Sequence, residues 1–202
     1  MNQQASDSAS EAHPFEPFVP QGARMLICGT FPPPKRRWSM DFYYPNYIND
    51  MWRVFGLIFF GDKDYLVDVP NRTFRLPEII RLLQEQGVAM SDTGGEVERL
   101  RGNASDKYLN IKQPFDLAGL LQRMPDCKDI VTTGEKAASV VAALTKSALP
   151  AVGEFVEVDV DMADGSVRHL RHWRMPSTSR AYPMPLAKKA ELYSRLFSRN
   201  QA

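Results

Sequence analysis

The stretch Leu26–Trp52, LICGTFPPPKRRWSMDFYYPNYINDMW, decides how the rest of the chain is read. It opens with an apolar run too short for a helix, the mark of a strand covered on both faces. It continues as a loop carrying Pro32, Pro33 and Pro34, the cations Lys35, Arg36 and Arg37, and the rings Phe31, Trp38, Phe42, Tyr43 and Tyr44. It then enters a helix, with Ile48, Met51, Trp52, Phe55 and Phe59 on one face. So many rings in a loop leaving a core strand have two readings. They fold inward as a loop core, or they stack on bases while the cations neutralise phosphates. The prolines stiffen the wall in either case.

Working outward from this stretch, strands and helices alternate. LPEIIRLLQEQG reads as a helix with Pro77 near its start and Gly87 as its stop, and VAMSDTGG as a short strand and turn. SDTGGEVERLRGNASDKYLN reads as a polar loop, with Asp106 and Lys107 available to a ligand. FDLAGLLQRM reads as a helix, KDIVTTG as a buried strand and EKAASVVAALTKSAL as the helix after it. EFVEVDVDMADGSVRHLRHWRM alternates on both sides of Asp164-Gly165, a hairpin signal. An amphipathic helix over residues 186–199 closes the chain. This order predicts a parallel sheet with helices on both faces, the hairpin adding an antiparallel edge. Ligands of such sheets bind beyond the carboxyl ends of the strands, where the aromatic-basic loop lies.

Bulk composition sets limits. With 202 residues, 44% of them hydrophobic, the chain can build one full α/β core. Residues 13–202 are read as one domain, behind a polar, disordered tail over residues 1–12 without the apolar region of a signal peptide. A net charge of +1 excludes a globally basic nucleic-acid binder. Two cysteines, Cys28 and Cys127, make neither a disulfide framework nor a four-thiolate cluster. No apolar run reaches the ~20 residues of a membrane span. Together these point to a cytoplasmic protein, associated with the nucleoid if the cell is bacterial.

Two more stretches carry candidate chemistry. In PNYINDMW, Asn46, Asn49 and Asp50 stand at i, i+3 and i+4, which on a helix is one face opposite Met51 and Trp52. Asn46 suits a helix N-cap, and Asn49 and Asp50 either complement the helix dipole or hold a polar ligand edge. In MPSTSRA, Ser177, Thr178, Ser179 and Arg180 form a donor-rich turn suited to phosphate, or else an ordinary cap before the last helix. His13, His169 and His172 show no metal-ligand spacing, and His169 and His172 read as part of a surface strand. No metal or cofactor is expected.

CGTFPP with FYYPNYINDMW, and MPSTSRAYP at the other end of about 155 residues, together resemble the uracil-DNA glycosylase superfamily. The branch they are most similar to is the mismatch-specific and hypoxanthine-type one. GVAMSDT and DIVTTGEKA look like the middle strands of that family. The resemblance implies a three-layer α/β/α fold around a central four-stranded, mainly parallel sheet, with the late hairpin added to it. It implies a monofunctional, metal-free enzyme that flips a deaminated base (uracil or hypoxanthine) out of DNA and cuts it from the sugar; a monomer is expected, though no residue fixes the oligomeric state. Gly29 and Thr30 would contact the base through backbone, and Phe31 or Tyr44 would stack on it. Asn49 matches a catalytic Asn of the hypoxanthine-type branch. MPSTS would grip phosphates alongside Lys35, Arg36 and Arg37, and Arg180 or Tyr182 would fill the vacated stack. Two slots depart from the pattern: Phe31 stands where many members carry Asn, Asp or Gln, and Met175 where others carry His. Chemistry would then rest on Asn49, with Asp50 or Asp92 as carboxylate. The alternative is a DNA- or nucleotide-binding module on the same fold that cuts nothing.

Overall fold

The computed structural model describes residues 10–100 and 108–198. In chain order the elements are β1 (Ser10–Ala12), β2 (Met25–Gly29), α1 (Met51–Phe60), β3 (Val67–Asp68), β4 (Thr73–Phe74), α2 (Leu76–Gln86), β5 (Val88–Asp92), β6 (Gly94–Arg99), β7 (Leu109–Pro114), α3 (Leu117–Gln122), β8 (Asp129–Thr133), α4 (Glu135–Thr145), β9 (Glu154–Asp161), β10 (Val167–Met175) and α5 (Leu186–Ser198). All five residues of β2 are buried, as are those of β5 and β8. That accounts for the unbroken apolar runs, because these strands have helices on both sides.

The period of two divides the strand residues between two cores. Met25 and Ile27 of β2 join Trp52 and Phe55 of α1, Ile79 and Leu83 of α2, and Tyr193 and Leu196 of α5. Leu26 and Cys28 face the other way, onto Leu117, Leu120 and Leu121 of α3 and Val141 of α4. The result is three layers, with α1, α2 and α5 on one face of the sheet and α3 and α4 on the other.

The central sheet has five strands in the order β5-β2-β8-β10-β9. β5, β2, β8 and β10 pair in parallel and β9 joins antiparallel at the edge. The expected four-stranded sheet is therefore a five-stranded mixed one. The late hairpin is part of it, since β10 continues the ladder from β8. Strand order reverses direction around β2: the chain moves outward to β5, then returns across to β8. The crevice between β2 and β8 is thus the topological switch point, where open α/β sheets bind ligands.

Three other expectations change. Residues 10–12 of the presumed tail form β1 against β6, and His13 N–H donates to the Gly95 carbonyl at 2.8 Å; residues 1–9 lie outside the described residues. The polar segment after β5 is a hairpin: β6 and β7 pair, and with β1 they make a three-stranded antiparallel sheet. Finally, His172 lies on no surface strand. It is 0% exposed, because β10 sits between β8 and β9. Among the described residues no helix is long and apolar enough to cross a membrane.

His172 is a cost that the core carries. Its Nε2 lies 3.0 Å from the Thr132 hydroxyl, which itself donates to the Trp173 carbonyl at 2.8 Å, so Nε2 holds the proton. Nδ1 is buried without a partner. Burial pulls the imidazole pKa from 6.5 down to about 4, so the unfolded chain binds the proton first as pH falls. The stability conferred by a neutral His172 is complete above about pH 6.5 and is lost as pH drops toward 4, on the order of 3 kcal/mol in all. Urea unfolding of wild type and His172→Gln at pH 7.5 and pH 4.5 should show the wild type losing stability relative to the variant by that order across the interval.

Candidate active site

The carboxyl ends of the parallel strands come level at one edge of the sheet. Gly29 stands opposite Asp92, Cys28 opposite Thr132, and Met175 opposite Thr133. Above this row lies a cleft of about 530 Å³, within the usual range of small-molecule sites. Its floor is Gly29, Asp92 and Thr133; one wall is Thr30, Phe31, Pro32 and Pro33, with Tyr44, and Asn49 lines the cleft beside the second motif loop, to which Asp50 N–H is bonded through the Thr178 carbonyl. The opposite wall is Ser177, Thr178, Ser179 and Arg180, which follow β10 directly. The two motif loops, far apart in sequence, meet here because β2 and β10 run parallel on either side of β8.

The rings of the first loop divide between the two readings of the sequence. Tyr43 turns into the core, its hydroxyl donating to the Glu16 carbonyl at 3.1 Å, and Phe42 packs edge-on against it. Trp38 is pinned to its own loop by donating Nε1–H to the Pro33 carbonyl at 2.6 Å. Phe31 and Tyr44 face the cleft. Tyr44 holds a left-handed backbone (φ 52°), unusual for a residue with a side chain. That twist places its hydroxyl 3.0 Å from the Thr133 hydroxyl, across the cleft floor. Gly29 is what allows this: a Cβ there would sit 2.5 Å from Asp92 Oδ1 and 3.2 Å from the Tyr44 hydroxyl. Of the three cations, Arg37 lines the cleft, whereas Lys35 and Arg36 are exposed on the short turn beside it and lie off its wall.

The helix that follows starts later than the spacing suggested. α1 begins at Met51, so Asn46, Asn49 and Asp50 form a turn ahead of it rather than one helical face. Asn46 does not cap the helix; its Oδ1 accepts from Ile48 N–H at 3.2 Å. Asn49 Oδ1 accepts from Met51 N–H at 2.9 Å. Both are the local side-chain turns that Asn favours. With its oxygen committed, Asn49 offers the cleft its amide N–H donors.

Asp50 departs from the expected catalytic role. Its carboxylate is buried, 3.0 Å from Lys189 Nζ and 3.4 Å from Arg180 Nε, and it does not line the cleft. Its backbone N–H donates to the Thr178 carbonyl at 2.9 Å, and Lys189, 0% exposed, also donates to the Ser179 carbonyl at 3.1 Å. Asp50 therefore ties the first motif loop to the second and both to α5. Tyr182 lies beside this knot, 6.0 Å from Lys189 Nζ, and off the cleft wall.

Asp92 is the carboxylate that the cleft does contain. His13 Nε2 lies 2.9 Å from its Oδ2, and both side chains are nearly buried. Burial raises the Asp92 pKa above the ordinary carboxylate value, against the hydrogen bond and charge of His13 and the Gly29 amide, which lower it. For His13, burial pulls the pKa down, but the hydrogen bond and charge of Asp92 outweigh it and leave the pKa above 6.5. Burial, and then the charge of Asp92, keep the Tyr44 phenol protonated. Met175 is 0% exposed beneath the floor and presents nothing to the cleft. Sequence reasoning missed His13, Thr133 and Lys189. No local signal marks them, since each acts across 79 or more residues. Asp106 and Lys107 lie outside the described residues. No three His, Cys, Asp or Glu side chains among the described residues are grouped to hold a metal ion.

Removing one member of a buried ion pair leaves the other charge stranded, which costs ~3–5 kcal/mol. Lys189→Ala is expected to lose stability of this order in urea unfolding, and Lys189→Ala with Asp50→Ala together less than the sum of the two single losses.

The sequence matches no protein-family model and no curated protein. Among solved structures it is similar to the solution NMR structure of a protein from Methanosarcina acetivorans, named "putative uracil DNA glycosylase". The TM-score is 0.64 with 17% identical residues, and the match covers 95% of this chain and 99% of that one. At that identity the likeness speaks for the fold alone: the two chains share one fold over nearly their whole lengths.

Proposed function

We propose that this protein is a DNA glycosylase that hydrolyses the N-glycosidic bond of a flipped, deaminated base, uracil or hypoxanthine, in DNA repair. The observation that carries the reading is the single cleft that gathers Phe31, Tyr44, Asn49, Asp92 and the Ser177–Arg180 turn at the switch point of the sheet. A flipped base needs a flat wall to stack on, a polar group for its edge and a cationic, donor-rich rim for the phosphates. Phe31 or Tyr44 supplies the wall. The hydroxyls and amides of Ser177, Thr178 and Ser179, with Arg180 and Arg37, supply the rim. Lys35 and Arg36 extend it outward, and Arg180 or Tyr182 enters the gap that the base leaves. The protein acts as one domain, with β1 part of it, and as a monomer, without a cofactor.

The reaction breaks the bond between the sugar C1′ and the base nitrogen, and the electron pair leaves with the base. C1′ becomes oxocarbenium-like, a water oxygen bonds to it, and the proton of that water is lost. Little activation of the water is needed, so stabilising the departing base carries most of the rate. Deaminated bases carry a carbonyl next to a ring N–H. The Asn49 amide, a donor, fits the carbonyl on which charge collects; the Asp92 carboxylate, an acceptor, fits the N–H or the proton of the water. Asp50, held in its ion pair, serves by fixing Asn49 beside it. The second reading is a DNA-binding module that cuts nothing. It draws on Met175 and Phe31, neither of which can activate water or protonate a base.

A panel of labelled duplexes carrying uracil, hypoxanthine, xanthine or a thymine mismatch, followed by alkaline cleavage of abasic sites, decides between them. Excision of at least one base is expected; specific binding with every base left attached overturns the enzyme and leaves the binding module. Asn49→Ala should slow single-turnover excision roughly 10²-fold, in the range lost with one oriented donor, with DNA affinity nearly unchanged. Arg180→Ala should weaken binding and reduce the salt slope by about one phosphate contact.

A further inference from the structure

We propose that His13 is a positioning residue of this cleft: reaching in from the N-terminal segment as an imidazolium, it holds Asp92 as a carboxylate aimed at the edge of the bound base. The inference rests on the glycosylase reading and adds to it what sets the charge of the cleft floor.

The geometry fits a charged ring. Nε2 faces Asp92 Oδ2 at 2.9 Å and Nδ1 faces the Phe15 carbonyl at 2.9 Å, so both nitrogens have an acceptor in reach, as only the imidazolium can use. The Phe15 amide nitrogen approaches Nδ1 at 3.2 Å and offers the neutral ring a donor instead. The ring is gripped on its faces and edge: Tyr43 stacks at 6.0 Å, Phe31 meets it edge-on at 5.2 Å and Phe15 at 5.9 Å. The segment that carries it is anchored on both sides of His13. Ser10–Ala12 pair with β6, and Phe18 bridges Met90 of β5, two residues before Asp92. Phe31, a cleft wall, thus leans on the same imidazole that holds the cleft floor.

The other titratable and charged groups around the pair do not replace His13. Glu16 on the same segment adds negative charge near the ring. Tyr43 and Tyr44 from the loop and Cys28 from β2 are all held neutral, chiefly by burial. Arg99 lies over the Phe31 ring at 5.4 Å and bonds Glu11 and the Pro32 carbonyl. Asp92 Oδ1 is left toward Gly29 and the cleft.

The charge state decides which base edge fits. A carboxylate accepts the ring N–H of uracil or hypoxanthine, whereas a protonated acid donates to the bare ring nitrogen of cytosine or adenine. His13, by keeping Asp92 ionised, tilts the cleft toward deaminated bases.

The test compares wild type with His13→Gln, which keeps a donor but no charge, and with Asp92→Asn, in full-length protein checked for melting temperature. Single-turnover excision of uracil and hypoxanthine is measured from pH 5 to 9, and the Asp92 carboxyl and His13 ring are titrated by NMR. Wild-type excision should hold through neutral pH and decline on the acid side as the Asp92 carboxylate takes up a proton. His13→Gln should show that acid limb at higher pH and be slower near neutrality by roughly 10- to 100-fold, the range of one charge-assisted hydrogen bond. Its Asp92 carboxyl should titrate at higher pH than in wild type, and in Asp92→Asn the His13 ring should titrate lower. A pH profile and carboxyl titration unchanged in His13→Gln overturn the proposal and leave His13 an anchor of its segment. Should the wild type excise nothing, the enzyme reading falls alone. The two NMR titrations, with the affinity of His13→Gln for uracil- over cytosine-containing DNA, then decide the role of His13: preference lowered if it holds the carboxylate, unchanged if it does not.

Discussion

Asp50 is a carboxylate taken out of water and surrounded by partners from both ends of the chain. Lys189 and Arg180 balance its charge, and its own backbone amide holds the Thr178 carbonyl. A charge buried in this way is tolerated only with its partners in place. It therefore forces α5, the turn after β10 and the turn before α1 into one arrangement. Everything the cleft offers on that side inherits its position from this knot: the Asn49 amide one residue earlier, the hydroxyls of Ser177 and Ser179, and the guanidinium of Arg180. The Lys189 ammonium also spans to the Ser179 carbonyl, so the loop is fixed through its backbone; the Ser177 and Ser179 hydroxyl oxygens accept from the Ser179 and Ala181 amides at 3.2 and 3.3 Å, which leaves their O–H donors for a ligand.

The opposite side of the cleft is fixed by steric means. Gly29 has no side chain, so Asp92 Oδ1 and the Tyr44 hydroxyl can converge above it, where a Cβ would stand 2.5 Å from the carboxylate. Gly134 serves through its backbone at the neighbouring strand end: at φ 103° it turns β8 into α4 while its amide donates to the Met175 carbonyl at 2.9 Å. Two glycines at adjacent strand ends let three loops close over one floor. The floor is buried and its polar groups are paired, Asp92 with His13 and Thr133 with Tyr44, whereas the rim holds exposed Ser179 and Arg180.

The sequence was legible where physics is local. The apolar run of Leu26–Gly29, the Pro77 and Gly87 bounds of α2 and the Asp164-Gly165 turn all follow from period and backbone preference, and the cleft lies at the strand ends where the alternation put it. Asn46, Asn49 and Asp50 were misread because helical spacing was assumed from Pro45 onward. The Asn side chains bond the backbone two residues ahead instead, and hold the chain in a turn until Met51. The β6–β7 hairpin looked like a loop because, among the described residues, Val97 and Leu109 are its only large buried apolar side chains. His172 looked exposed among Arg168, Arg171 and Arg174. Those arginines send their heads to the carbonyls of α3 and its following turn, to Asp129 and to Glu135, while the strand itself stays inside. The His13–Asp92 pair spans 79 residues and leaves no trace in any window of sequence.

The place of β10 in the sheet has a consequence for how the chain acquires its shape. β2, β5 and β8 can pair once residue 133 has been made, but β8 then presents an open edge of unpaired amides and carbonyls, the kind that recruits foreign strands. Only β10, more than 30 residues later, covers that edge, with β9 carried on its far side. Pairings this distant along the chain close slowly, because each must first overcome the entropy of a long loop. During synthesis the nascent chain therefore lacks one edge of its sheet and one wall of its cleft, and the last quarter of the protein supplies both.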